Sequence, residues 1–284
     1  MTATTIDGRK LSAEIKGELK EEVQRFHQAH GQVPGLAIVR VEGDAASGVY
    51  SKAILRIAKE LGVEARLELL PVETTNEELR DVLLHLNTDR ATHGVIVQMP
   101  LPAHLSQQVV AETLAAEKDI DGISPLSAGN LALGFPSFVP STAAAVVEVL
   151  ERTKTPLDGK NVVILGRSNV VGKPLAFMLL QRNATVTVCH SRTQNLAKIA
   201  READILIAAV GRPTMVKAEM VRPGATVIDV GINALPEGGI VGDVDFASVS
   251  EVAGAVTPTP GGVGPLTNVL LLKQCIEAAW RQQG

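Results

Sequence analysis

The chain of 284 residues is 45% apolar but only 2% aromatic, so Val, Ile, Leu and Ala must fill its cores, a mix that suits buried parallel strands with helices on both faces. Its formal charge of −4 is spread along the chain, leaving no basic footprint for nucleic acid and no polybasic patch for a membrane surface. The N-terminus MTATTIDGRKLSAEIKGELK is too polar for a secretory signal, no apolar run nears the ~20 residues that span a bilayer, and Cys189 and Cys275 fit no disulfide or zinc pattern, so the expected setting is a reducing cytoplasm.

In chain order, residues 9–30 alternate charged and apolar positions at helical spacing, and PGLAIVRV (34–41) is a short apolar run between turn signals, hence a strand. The loop EGDAASG leads into a helix, GVYSKAILRIAKELG (48–62), that carries the only tyrosine, Tyr50. VEARLELLPV reads as a second strand, TNEELRDVLLHLNTD as a capped helix, HGVIVQMPLP (93–102) as a third strand ending in prolines, and PAHLSQQVVAETLA as another helix. The stretch KDIDGISPLSAGNLALGFPSFVPST (118–142) has little periodicity and is expected to be a long functional loop. STAAAVVEVLERT predicts a helix, and TPLDG a turn between domains.

From Lys160 onward NVVILG, ATVTVCH, ADILIAAVG, ATVIDVGIN and AGAVTPTPGG are apolar runs that end at glycine or polar residues, followed by the helix VLLLKQCIEAAWRQQ. Alternating strands and helices imply an α/β protein with parallel sheets, whose strand ends are where ligands bind. The predicted organisation is an N-terminal αβα substrate domain (1–141), a Rossmann-like domain with a parallel sheet (142–268), and a C-terminal helix (269–284) that packs back on the first domain.

NVVILGRSNVVGKPLAFMLLQRNATVTVCHSRT (161–193) runs strand, glycine turn, helix, strand, the order of a dinucleotide-binding unit. The turn departs from GxGxxG: Ser168 takes the second glycine position and Gly172 comes one residue late. A tight turn at Gly166 followed by helix N–H groups still suits a phosphate, although a non-nucleotide α/β protein uses glycine turns as well. At the end of the second strand stand Cys189, His190, Ser191, Arg192 and Thr193, with no acid to hold a ribose 2′-hydroxyl. The missing carboxylate favours NADP over NAD, with Ser191, Arg192 and Arg167 as a phosphate clamp. Arg192 as an ordinary solvated arginine is the competing reading.

GVIVQMPLP, KDIDGISPLSAGNLALG, GRSNVVGKP and TPTPGGVGPLTNVLLL together resemble the methylenetetrahydrofolate dehydrogenase/methenyltetrahydrofolate cyclohydrolase family over nearly the whole chain, PGGVGP being a highly specific signature. The resemblance implies a cytoplasmic homodimer of two-domain subunits, with folate in a cleft and NADP on the Rossmann-like half. It implies oxidation of 5,10-methylenetetrahydrofolate and, in most members, hydrolysis of the methenyl product to 10-formyltetrahydrofolate; no metal is implied. Position by position, it assigns Tyr50 to stacking on the aminobenzoate ring, Gln98 to the reacting carbon and Asp121 to the pterin. Pro260, Gly261, Gly262 and Val263 fall beside the folate, while Gly166, Arg167, Ser168, Gly172, Ser191, Arg192 and Ile232 fall at the cofactor. Each has a plainer alternative: Asp121 before Gly122 as a turn residue, Gln98 as a partner for backbone at a strand end, the glycines as loop formers.

One departure stands out. The family's helix reads Y-x-x-x-K, and that lysine serves the hydrolysis; here the position holds Ile54. Lys52 is no substitute, because two residues at about 100° each place it on another face of the helix, together with Arg56 and Lys59. Hydride loss needs alignment of the carbon with the nicotinamide, whereas hydrolysis needs a group that moves protons, a contribution of roughly 10²–10⁴-fold. The expectation is therefore an NADP-dependent dehydrogenase with weak or absent cyclohydrolase activity; the alternative is a fully bifunctional enzyme with another acid/base group, such as Asp121 or a water near Gln98. Remoter rivals are a shikimate-type NADP dehydrogenase, which would need a lysine–aspartate pair, and a non-catalytic folate- or nucleotide-sensing protein.

Overall fold

A computed structural model describes residues 2–283, with the backbone alone at Ala45 and Ala46. In chain order the elements are β1 (Thr4–Thr5), α1 (Gly8–His30), β2 (Gly35–Val41), α2 (Ala45–Leu61), β3 (Glu64–Leu70), α3 (Asn76–Thr88), β4 (Gly94–Val97), α4 (Gln107–Thr113), α5 (Pro125–Leu133) and α6 (Ser141–Arg152). They continue as β5 (Asn161–Leu165), α7 (Gly172–Leu180), β6 (Thr185–Cys189), α8 (Leu196–Ala200), β7 (Ile205–Ala208), β8 (Thr226–Asp229), β9 (Asn233–Ala234), β10 (Ile240–Val241), α9 (Phe246–Ser250), β11 (Ala255–Val256) and α10 (Gly264–Gln283). The chain divides into two compact units, one of residues up to Ala13 with Pro140–Thr267, the other of Glu14–Val139 with the chain from Asn268 onward.

The second unit holds a parallel three-stranded sheet in the order β3-β2-β4. Central β2, GLAIVRV, is buried at every position but Arg40, which explains why its sequence is continuously apolar rather than alternating. Beyond β4, Val95 forms a parallel bridge with Asp119, so the 118–119 segment extends the sheet edge. α3 opens with a reciprocal cap: the Thr75 hydroxyl accepts the Glu78 N–H at 3.2 Å and Glu78 accepts the Thr75 N–H at 2.8 Å, an arrangement worth about 1 kcal/mol. Its apolar face, Leu79, Leu83 and Leu86, packs on Ala37, Val39, Val95 and Val97 of the sheet. α10 is tied into the same unit, where the Gln274 amide donates to the carbonyls of Ile120 (2.9 Å) and Val139 (2.8 Å) and Gln282 donates to that of His93 (2.7 Å).

The first unit is built on a six-stranded sheet in the order β1-β11-β8-β7-β5-β6, parallel throughout. Ala200, Ala203, Leu206, Ala208, Val227 and Val256 are among the wholly buried residues of one core layer. The N-terminal domain is expected from residue 1, yet the first 13 residues belong to this unit, because Thr4 and Thr5 pair with Ala255 and Val256. A second difference is α5, which stands inside the segment expected to be loop. Ser124 caps it by accepting the Ser127 N–H at 3.1 Å, Pro125 opens it and Gly134 ends it in the left-handed conformation. Nine residues with mixed burial carry too little periodicity to announce such a helix. No helix among the described residues is long and apolar enough to cross a membrane.

Candidate functional site

In the three-stranded unit, the singled-out residues follow the C-terminal ends of parallel segments, where α/β sheets bind ligands. α2 starts after β2 with Asp44 as its cap, whose carboxylate accepts the Ser47 N–H at 2.6 Å. Tyr50 lies in the second turn and is 37% exposed, while Ile54, one turn on, is 0% exposed and buried among the core residues. Lys52, Arg56 and Lys59 are exposed on the rest of the helix surface. Gln98 directly follows β4, is buried, and donates its backbone N–H to the Val39 carbonyl at 2.8 Å.

Two aspartates of the KDIDG run prove to be different in kind. Asp119 is fully buried, and its carboxylate accepts the N–H groups of Ile123 (3.1 Å) and Ser124 (2.9 Å) and the Ser127 hydroxyl (2.8 Å). It is the fixture that folds the loop into α5. Asp121, two residues on, is half-buried in the turn before Gly122.

In the six-stranded unit, strand order reverses around β5, whose neighbours are β6 and β7. A crevice of about 250 Å³ lies at these three strand ends, lined by Leu165, Gly166, Arg167, His190, Ser191 and Arg212 among others. Gly166 lines it, and Gly172 packs behind the turn. A Cβ on Gly166 (φ +122) would lie 2.1 Å from the Ala209 carbonyl oxygen, and one on Gly172 would lie 2.1 Å from the Gly166 oxygen, so β5, β7 and the start of α7 approach only without side chains. Ser168 stiffens the turn by accepting the Val171 N–H on its hydroxyl at 3.1 Å. His190 accepts the Arg192 N–H on Nδ1 at 3.1 Å, which leaves its proton on Nε2 in the neutral ring.

The structure thus brings Gly166, Arg167 and Ser191 together in one crevice. Arg192 is exposed and absent from its lining, whereas Arg212, on the loop after β7, is present. That arginine was legible only as the residue following the VG that ends an apolar run. Behind the loop sits Asp243, fully buried, whose carboxylate accepts the N–H groups of Val210 (2.6 Å), Gly211 (2.9 Å) and Arg212 (2.8 Å). Asp229 holds the next layer by accepting from Gly231 (2.9 Å), Asp243 (3.0 Å) and Val244 (3.1 Å), and its burial pushes its carboxyl up to about 6.

Elsewhere in this unit, Ile232 is 63% exposed on the loop after β8. Pro260 is exposed, and Gly262 and Val263 are buried in the loop that precedes α10. The Gly261 carbonyl accepts the Gly8 N–H at 2.9 Å, fixing that loop to the start of α1.

The crevice suits a dinucleotide: it lies at the ends of β5, β6 and β7 beside a glycine turn that leads into α7, and no carboxylate lines the pocket among the described residues. Fold and crevice together define an α/β protein with a dinucleotide-binding domain joined to a second parallel-sheet domain. Residues 6–121 match the family described as tetrahydrofolate dehydrogenase/cyclohydrolase, catalytic domain, and residues 140–283 match its NAD(P)-binding domain. The bifunctional protein FolD of Moorella thermoacetica is 48% identical over 281 residues, 99% of this chain and 100% of that one. Among solved structures, the bifunctional enzyme FolD from Campylobacter jejuni superposes with a TM-score of 0.96 at 40% identity, covering 99% of both chains. The Trypanosoma brucei methylenetetrahydrofolate dehydrogenase-cyclohydrolase complexed with NADP and an inhibitor superposes with a TM-score of 0.94 at 36% identity, covering 100% of this chain and 99% of its own. The chain belongs to the tetrahydrofolate dehydrogenase/cyclohydrolase family.

Proposed function

We propose that the protein is an NADP-dependent 5,10-methylenetetrahydrofolate dehydrogenase, cytoplasmic and homodimeric, in which hydrolysis of the methenyl product is weak or absent. Family membership and the carboxylate-free crevice support an NADP-dependent dehydrogenase. The observation that carries the loss of hydrolysis is Ile54: one helical turn after Tyr50, where the family resemblance calls for a lysine, stands a wholly buried hydrocarbon.

In this reading Tyr50 stacks on the aminobenzoate ring, Gln98 lies by the one-carbon bridge, and Asp121 holds the pterin. Pro260, Gly261, Gly262 and Val263 contact folate. Gly166, Arg167, Ser168, Gly172, Ser191 and Ile232 hold the cofactor, with Arg192 beside the crevice but outside its lining. The bound nicotinamide supplies the hydride acceptor. Loss of hydride from the methylene carbon is driven by the neighbouring nitrogen lone pair, so these residues have only to bind and align. A nearby ammonium would oppose the growing positive charge. Hydrolysis makes a different demand, since water must lose a proton as it attacks and a ring nitrogen must gain one as the bridge opens. An isoleucine side chain moves no proton.

The second reading is a fully bifunctional enzyme, as the relatives are named, in which another group, such as Asp121 or a water beside Gln98, performs the hydrolysis. Measuring NADPH formation and decay of the methenyl compound in separate assays distinguishes the two. Hydrolysis clearly above the uncatalysed rate, unchanged in Ile54→Ala, would establish the bifunctional reading; hydrolysis at the uncatalysed rate, with oxidation intact, supports the one proposed.

A further inference from the structure

We propose that Arg212 determines specificity for the phosphorylated dinucleotide, its guanidinium joining Arg167 and Ser191 at the adenosine 2′-phosphate; the inference rests on the NADP reading above and adds a residue to it.

The crevice is walled by the ends of three strands, with Arg167 after β5, Ser191 after β6 and Arg212 after β7. Guanidinium groups thus come from two of its walls and a hydroxyl from the third. A phosphomonoester carries about −1.5 to −2 charge at neutral pH and accepts on three oxygens, more than one guanidinium satisfies. Neither arginine has an ion-pair partner among the described residues, and no carboxylate lines the crevice to neutralise them. Arg192, the nearer choice in sequence, lies outside the lining.

The backbone that carries Arg212 is held with unusual firmness for an exposed loop. Its own N–H and the two before it all end on Asp243, which also accepts from the Asn233 amide at 2.9 Å and donates its N–H to Asp229 at 3.0 Å. A side chain launched from a fixed backbone loses less freedom when it meets its ligand. Asp243 therefore acts as the positioning residue for Arg212.

Calorimetric titration of the full-length protein with 2′,5′-ADP tests this without reference to folate chemistry. Arg212→Gln is expected to weaken 2′,5′-ADP binding about 10–100-fold, the worth of a charge-assisted pair, with Arg212→Lys between it and wild type. The KM for NADP should rise with it while the KM for NAD stays within about twofold and the melting temperature is unchanged, since the side chain is exposed. Unchanged 2′,5′-ADP affinity in Arg212→Gln overturns the assignment, and so does an equal loss for NADP and NAD, which would make Arg212 a wall for the adenine instead. If the wild-type protein itself binds no 2′,5′-ADP, the NADP reading falls and this inference with it.

Discussion

Asp229 accepts the backbone N–H of Asp243 at 3.0 Å, and Asp243 in turn accepts three successive N–H groups from Val210 to Arg212, so two buried carboxylates in series anchor the loop beside the nucleotide crevice. Burial pushes the Asp229 carboxyl up to about 6, although its three N–H donors pull the other way. A carboxyl raised above its unfolded value near 3.9 holds more protons folded than unfolded in between. Its contribution to stability is full below that unfolded value and is lost as pH rises through about 6, by on the order of 2–3 kcal/mol. Urea unfolding of wild type from about pH 4 to pH 7 should contain this falling component, and Asp229→Asn should flatten it. An identical pH slope in both proteins would contradict the assignment.

Gly172→Ala sets a methyl group 2.1 Å from the Gly166 carbonyl oxygen, and neither backbone can move without parting the start of α7 from the end of β5. The expected result is a loss of about 1–3 kcal/mol or more of stability, together with loss of 2′,5′-ADP binding. A variant that melts and binds like wild type would show that the turn has slack.

Lys118 is buried, and its ammonium donates to the carbonyls of Leu86 (2.8 Å) and Asp89 (2.7 Å) at the C-terminal end of α3. A cation at a helix C-terminus satisfies carbonyls that have no partner within the helix. Lys118→Met keeps the stem and removes both bonds, for an expected loss of about 2–4 kcal/mol in chemical unfolding. Because the substitution removes only the ammonium, whose bonds go to carbonyls at the end of α3, kcat should be unaffected where the protein is folded.

Much of this was readable in the chain. Buried β2 and β4 announce themselves as short apolar runs between turn signals, TNEELRDVLLHLNTD as a capped helix, and Gly166 to Gly172 as a turn between strand and helix. What escaped detection depends on partners distant in sequence. Thr4 and Thr5 are two residues whose sheet partners lie about 250 positions away, and so short a strand has no period. Asp119 and Asp121 look alike in KDIDG; only the folded loop turns the first inward onto Ser124 and Ser127. The link from Asp243 to Arg212 joins loops 31 residues apart, with no motif to mark it. Ile54 was legible as a departure because the helix period fixes what lies one turn after Tyr50, and its complete burial is the structural counterpart.

In the function proposed, a helix bearing Tyr50 but no amine one turn on serves oxidation and not hydrolysis. The most direct test is the ratio of two rates on one preparation: NADPH formation from 5,10-methylenetetrahydrofolate, and decay of 5,10-methenyltetrahydrofolate above the uncatalysed background. Robust NADPH formation with methenyl decay at background is expected, as is a gain of decay in Ile54→Lys, whose buried amine would have its pKa lowered into the range useful for proton transfer. Wild-type methenyl decay at a rate comparable to NADPH formation would contradict the function proposed.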